Sequence, residues 1–304
     1  KDSSIISKIE NAKNILDDIL TINRGVNIGG QFDLFLSDHK KDEEYFKFIA
    51  GIKSLDKYTY TWDKNSDCYF KFDQQLETRL RSKGSTMVLG NPERYLKEKL
   101  FIPESAQYLL ASFVKERVYS AYGIMVGTQA NKNYNIKYAC ALVNSKLFTF
   151  YAIEKEILRK GSKATPHIGV KGLKSIPVHL ISSEQQNVFV NIVECILLLK
   201  KVDPEKRINE YVPNSHIVQL FEEVIDALVY ELYFEEDFKK ANIDFMKYAE
   251  RDFISLEGLS TDENIKTINR IYQILTEKDN EIRQNLKLID TRLGELIMPI
   301  KTAK

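Results

Sequence analysis

Between residues 4 and 20 apolar side chains return every three or four positions, at Ile5, Ile9, Ala12, Leu16 and Ile19. That spacing gathers them on one face and predicts a helix over 4–20. Residues 21–30 interrupt it with Gly25, Gly29 and Gly30, which suits a strand, a turn and a second strand. Residues 31–36 open with the polar–apolar alternation of a half-buried strand, and 45–49 form a short amphipathic element. Tyr58, Tyr60, Trp62, Tyr69 and Phe70 predict β structure around a turn at 63–67. Tyr58, Tyr60 and Trp62 share one strand face, which favours a packing role over a platform for stacked bases. Short polar helices are expected at 72–80 and 91–100, and strands at 106–113, 117–125 and 134–136. Residues 138–158 read as one helix carrying Leu142, Leu147, Phe150 and Ile153, and 159–174 as a Gly/Lys/Pro loop.

After Pro177 the pattern becomes helical. Ser182 with Gln185 three residues on is a capping box that opens a helix to about residue 201. A second helix runs from Ser215 to about Tyr233, and a shorter one covers 241–253. The stripe Ile265, Ile268, Tyr272, Leu275, Ile282, Leu286, Ile289, Leu293 and Leu296 predicts a final long helix from Ser260 or Thr261 to about 297. The fold class is therefore α+β, with a mixed domain over 1–180 and an all-helical region over 181–304.

Composition agrees. The 304 residues are 43% hydrophobic and 29% charged, the balance of a folded chain rather than a disordered one. No apolar run approaches the ~20 residues needed to cross a bilayer, so no membrane partner is expected. The start has neither an initiator Met nor a signal-peptide core, so a cytoplasmic chain, cut from something longer, is expected. Cys68, Cys140 and Cys195 are odd in number and far apart, as reduced, mostly buried thiols would be.

The net charge of +1 hides an uneven distribution. Residues 1–80 hold 12 Lys and Arg against 14 Asp and Glu, residues 81–174 hold 16 against 6, and residues 205–304 hold 14 against 20. A basic middle between acidic flanks suits a face that meets a polyanion.

Catalytic chemistry is missing. There is no phosphate loop and no nucleophile elbow. His39, His167, His179 and His216 are isolated from one another and from the cysteines, so no metal site is expected. Asn91-Pro92-Glu93-Arg94 resembles the adenine-holding motif of amino-methyltransferases only in its first two residues. Arg94 cannot supply the aromatic ring that stacks on a flipped base. An Asn cap with Pro in the first helical turn explains the stretch. The acidic pairs Glu43-Glu44, Glu222-Glu223 and Glu235-Glu236 read as solvated faces. No catalytic residue and no cofactor-binding residue is expected in this chain.

Three stretches together resemble the TaqI-like C-terminal specificity domain, the target-recognition module of bacterial DNA adenine methyltransferases and of fused restriction–modification enzymes. Ile22-Asn23-Arg24-Gly25-Val26-Asn27-Ile28-Gly29-Gly30, leading into Gln31-Phe32-Asp33-Leu34-Phe35, is similar to the family's I-x-x-G-[IV]-x-x-G. Tyr138–Tyr151, with Asn144-Ser145-Lys146-Leu147 at its centre, is similar to L-x-x-[IL]-L-N-S-K-L-x-x-F-Y, with Tyr138 and Val143 departing from the Leu positions. Gly172-Leu173-Lys174-Ser175-Ile176-Pro177-Val178 matches L-x-x-[IL]-P-[IV]. The resemblance covers about residues 4–200. Val224–Tyr233 adds a likeness to a helix near the end of many such enzymes.

The resemblance implies binding of double-stranded DNA for a catalytic methyltransferase domain upstream in the same polypeptide. That domain would use S-adenosylmethionine, with or without a fused endonuclease; this chain itself would bind no cofactor. The best candidates for DNA contact are Arg159, Lys160, Lys163, Thr165, His167, Lys171 and Lys174 in the basic loop, with Arg81, Lys83 and Lys132 elsewhere. Lysine and arginine neutralise phosphates, and Arg, Thr and His can also reach base edges. Asn144 is expected to bond to neighbouring backbone rather than to a base. The alternative reading is a helical protein-interaction or assembly module without DNA binding, in which the 261–297 helix pairs with another helix.

Overall fold

The computed structural model describes residues 2–159, 166–202 and 206–303. In chain order it begins with α1 (Asp2–Ile9), β1 (Asn14–Ile15), β2 (Leu20–Arg24), α2 (Phe32–Phe35), β3 (Leu36–Ser37), β4 (Tyr45–Ile49) and β5 (Cys68–Lys71). Next come α3 (Gln74–Arg81), α4 (Glu93–Leu96), β6 (Lys99–Pro103), β7 (Ser112–Val114), β8 (Tyr119–Ser120) and β9 (Ile124–Gln129). Then follow α5 (Ile136–Asn144), α6 (Lys146–Glu154), β10 (Leu158–Arg159), β11 (His167–Ile168), α7 (Val170–Lys174) and β12 (Pro177–Val178). The rest is helical: α8 (Ser183–Lys201), α9 (Asn214–Tyr233), α10 (Glu235–Ala241), α11 (Met246–Asp252), α12 (Thr261–Thr276), α13 (Glu281–Arg292) and α14 (Gly294–Thr302). The α+β class read from the sequence holds.

The helix expected over 4–20 stops at Ile9. Ile5, Ile9, Leu16 and Ile19 are all buried in one core, so the periodicity marks burial correctly. The backbone does something else: Asn14 pairs with Val178 and Ile15 with Pro177, while Leu16 N donates to Ile176 O at 2.8 Å. A pairing across the chain outweighs local propensity.

Two four-stranded sheets follow, in the orders β2-β9-β6-β7 and β3-β5-β4-β8. The first is antiparallel throughout, and its inner strands are buried on both faces. Alternate residues of a strand face opposite ways, and here they enter different cores. Leu100, Ile102 and Met125 join the larger core with the helices, whereas Phe101, Ile124 and Val126 join a smaller one. The smaller core is aromatic, built on Phe35, Phe48, Phe70, Tyr95 and Tyr119, with the Tyr95 and Tyr119 rings 4.4 Å apart. Lys99 lies in this sheet with no exposure. Its Nζ donates to the carbonyls of Tyr95, Lys97 and Glu116, and burial pushes its pKa down to about 8.

Two segments distant in sequence meet beside the smaller core. Gly25 N donates to Ile124 O at 2.8 Å and Val26 N to Ser120 O at 2.7 Å. A Cβ on Gly25 would lie 2.2 Å from Ala121 O, so only glycine permits this approach.

Several elements depart from expectation. Residues 31–36 form the short α2 and the start of β3, not one strand. The helix foreseen over 91–100 is only α4, and the last two residues of that span already belong to β6. Residues 106–113 reach strand geometry only from Ser112. Residues 134–136 lead into α5, where the Asn135 side chain accepts from Lys137 N. The 138–158 helix is two helices broken at Ser145. There Ser145 Oγ accepts from Phe148 N, and Asp226 Oδ1 of α9 accepts from Lys146 N at 2.8 Å. Asn144 is 2% exposed and wholly engaged: Oδ1 accepts from Ala111 N at 2.9 Å, and Nδ2 donates to Ala111 O and Cys140 O.

The Ser182–Gln185 capping box forms as expected. The short helix foreseen over 241–253 is α11 alone, because α10 ends at Asn242 in the left-handed region. The long helix foreseen over 261–297 is α12, α13 and part of α14. Asn280 ends the run: its Oδ1 accepts from Arg283 N, and its Nδ2 donates to Asp252 Oδ2 at 2.8 Å. Ile268, Leu275, Ile282 and Ile289 face the chain's own core, so the apolar stripe is consumed internally. Among the described residues no helix is long and apolar enough to cross a membrane. Cys140 and Cys195 are buried, Cys68 is half-buried, and all three are free thiols.

Glu231 of α9 makes this helical corner pH-sensitive. Its carboxylate accepts from Phe245 N and Met246 N, and burial raises its pKa to about 7. A folded-state pKa above the unfolded value means that the folded form holds the extra proton between pH ~4.5 and ~7. The contribution is complete below that window and is lost as pH rises through 7. Melting the wild type and Glu231→Gln at pH 5 and pH 8 should show a larger fall with pH in the wild type. Equal falls would show that Glu231 titrates normally.

Candidate nucleic-acid interface

The exposed edge of the first sheet is β2. Thr21 and Asn23 point outward while Leu20 and Ile22 point into the larger core, the alternation expected of an edge strand with one dry face. Thr21, Asn23 and Arg24 line a cleft of about 530 Å³ together with Asn91, Lys97 and Tyr122. A second cleft, of about 730 Å³, runs beside it toward α3 and includes Gln74, Thr78 and Arg81. The two share Val88, Gly90, Asn91 and Glu93, so they form one continuous strip.

Arg24 is held in this strip by residues distant in sequence. Its Nε donates to Glu104 Oε1 at 2.6 Å, Nη1 donates to the Tyr122 hydroxyl, and the guanidinium lies 4.7 Å from the Tyr122 ring centre. Glu104 is 7% exposed, and its backbone ties together three segments. Glu104 N donates to Gly123 O at 2.9 Å, and Glu104 O accepts from Ile168 N at 2.7 Å. Ser105 bridges His167, and Ala106 N donates to Pro166 O. The β10–β11 hairpin is thus docked against the strand end that carries Glu104.

Of the residues foreseen for DNA contact, Arg159 and His167 are paired across that hairpin and both are exposed. Lys160, Lys163 and Thr165 lie outside the described residues. Arg81 is exposed at the end of α3, 3.8 Å from Glu77, and lines the second cleft; Lys83 is exposed in the following turn. Lys171 is exposed on α7, whereas Lys174 pairs with Asp17 at 3.0 Å. Lys132 is exposed in the turn after β9. Arg94 is used internally: Nη2 donates to Leu89 O at 3.1 Å, and the guanidinium lies against the Tyr95 ring. Asn91 Oδ1 accepts from Glu93 N at 2.9 Å, the local capping role foreseen for it.

Sequence reading missed Arg24, Tyr122, Asn23 and Lys97. Only the motif containing Asn23 and Arg24 gave a signal, and its glycines masked it. The strip offers guanidinium, ammonium, amide and hydroxyl groups that can bind phosphates and base edges. Among the described residues no cluster of His, Cys, Asp and Glu could hold a metal ion.

Residues 47–178 match the family model of the TaqI-like C-terminal specificity domain. The matched segment contains α3, α4 and the β10–β11 hairpin. It begins after the Ile22–Phe35 stretch that carries the first part of the resemblance. A solved structure of the Type IIL restriction-modification enzyme MmeI in complex with DNA is similar over 87% of this chain and 36% of that chain, with 11% identity and a TM-score of 0.47. The chain thus spans about a third of that protein's length. No curated protein matches the chain.

Proposed function

We propose that this chain is the DNA target-recognition part of a restriction–modification enzyme. Its parent would be a cytoplasmic site-specific adenine-N6 methyltransferase, whose catalytic domain lies upstream and uses S-adenosylmethionine. The observation that carries this reading is the specificity-domain match over 47–178, which contains the hairpin and the part of the strip built from 74–97. Recognition belongs to residues 1–180, and the helices of 181–304 brace them. The assembly alternative loses its main support, because the apolar stripe of 261–297 is spent on this chain's own core.

The test is a titration with random and site-containing duplexes at several salt concentrations. Changing Arg159, Lys160, Lys163 and Lys171 together to Ala should lower the salt slope by ~0.9 for each phosphate that is no longer neutralised, on any sequence. Equal slopes for the two proteins would remove the loop from the DNA face. Calorimetry with S-adenosylmethionine should show no saturable binding to this chain; clear saturation would mean that a cofactor site exists here.

A further inference from the structure

From the Arg24–Glu104–Tyr122 cluster we infer that Arg24 reads a guanine, with Glu104 and Tyr122 as the groups that position it. The inference rests on the DNA-binding reading above and adds to it one base and one residue. A surface arginine that only neutralised phosphate would need no fixed direction. Arg24 has one: a buried carboxylate holds Nε, a tyrosine hydroxyl holds Nη1, and the tyrosine ring flanks the guanidinium plane. Two N–H groups are engaged, which leaves one on Nη1 and two on Nη2. The end of the fork is therefore free to give parallel hydrogen bonds to the two acceptors of a guanine edge, O6 and N7. Adenine presents one acceptor and one donor there, and the donor would meet an N–H. The side chain is 39% exposed, in a cleft whose other polar residues include Asn23, Asn91 and Lys97.

Glu104 makes this arrangement more than a surface ion pair. It is nearly buried, and its own backbone is fixed by Gly123 and by Ile168 at the foot of the basic hairpin. Phosphate contacts made by the hairpin would thereby set the register at which Arg24 meets a base. Positioning contacts and reading contacts would lie on one rigid strand end.

The experiment is selection from a randomised duplex pool, with the full chain as wild type, Arg24→Ala, Arg24→Lys and Glu104→Gln. The wild type is expected to enrich a site with a G·C pair at a fixed position. Arg24→Ala should reduce the preference for guanine at that position by roughly 5- to 150-fold while leaving other positions unchanged. Arg24→Lys keeps the charge but not the fork, and should lose the same position. Glu104→Gln keeps an acceptor for Nε without its charge, and should blur that position alone. A variant that loses every position equally, or none, would show that the cluster is only a structural tie and overturn the assignment. Failure of the wild type to enrich any sequence would instead overturn the DNA-recognition reading, and this inference with it.

Discussion

Phe70→Ala is expected to destabilise the protein by ~3–5 kcal/mol, the range for emptying a buried aromatic site. Phe70 is fully buried in β5, which lies between β3 and β4. Its ring is 4.9 Å from Tyr119 of β8, 5.4 Å from Phe48 of β4 and 6.2 Å from Phe35 of α2, so the vacated space touches two neighbouring strands and a helix. Those neighbours are themselves large and cannot close over the gap without giving up their own packing. Equilibrium urea unfolding measures the loss. A change below ~1 kcal/mol would show that the aromatic core collapses readily around the missing ring. Duplex affinity should fall as well, because α3 and α4, which flank the clefts, rest on this core through Leu76, Leu80 and Tyr95.

Asn144→Ala is the second large effect. The amide is bonded on both sides to Ala111 and once to Cys140. Removing it strands the N–H of Ala111 in an interior that water does not reach, while Ala111 O keeps the bond from Tyr58 N at 2.9 Å. An orphaned buried N–H costs about 1–3 kcal/mol, and a loss in that range is expected. Asn144→Asp should be at least as harmful, since a carboxylate oxygen would face the Ala111 and Cys140 carbonyls where an N–H now donates. Denaturation curves for both variants check this. If either variant were as stable as the wild type but lost sequence preference, Asn144 would be a DNA-reading residue after all.

That Asn144 bonds to backbone was legible in the sequence, because a short amide inside an apolar helical run has to do so, and its bond to Cys140 O is local; its bonds to Ala111, 33 positions away, were not legible. The capping box at Ser182, also local, was legible. Where sequence reading failed, a distant partner decided. The apolar period over 5–19 gives the right buried residues and the wrong backbone, because β12 claims residues 14 and 15. The stripe over 265–296 marks the correct inward face but says nothing of the break at Asn280, which a bond to Asp252 fixes. The candidate site divides in the same way. Charge density pointed to Arg81 and the 159–174 loop. Arg24 stood alone in a glycine-rich stretch, and its partners lie about 80 and 98 positions away. No window along the chain brings them together.

The crossing of the chain at Gly25 and Ala121 has a practical consequence for exchanging parts between related proteins. Nearly a hundred residues lie between these two touching points, so the ends of a segment exchanged there would meet the host side by side, and β6 and β7 of the first sheet would travel with it. A graft that begins at Gly25 and closes at Ala121 would carry α3, α4 and most of both clefts as a cassette. It would leave Arg24 on the host side of the seam and Glu104 on the donor side. For such a graft to seat, the donor must still present apolar residues at the positions of Tyr58, Leu100, Ile102, Leu109 and Ala111, which reach back into the helical body. A mismatched arginine and carboxylate across the seam would give a chimera that folds but has lost one letter of its address.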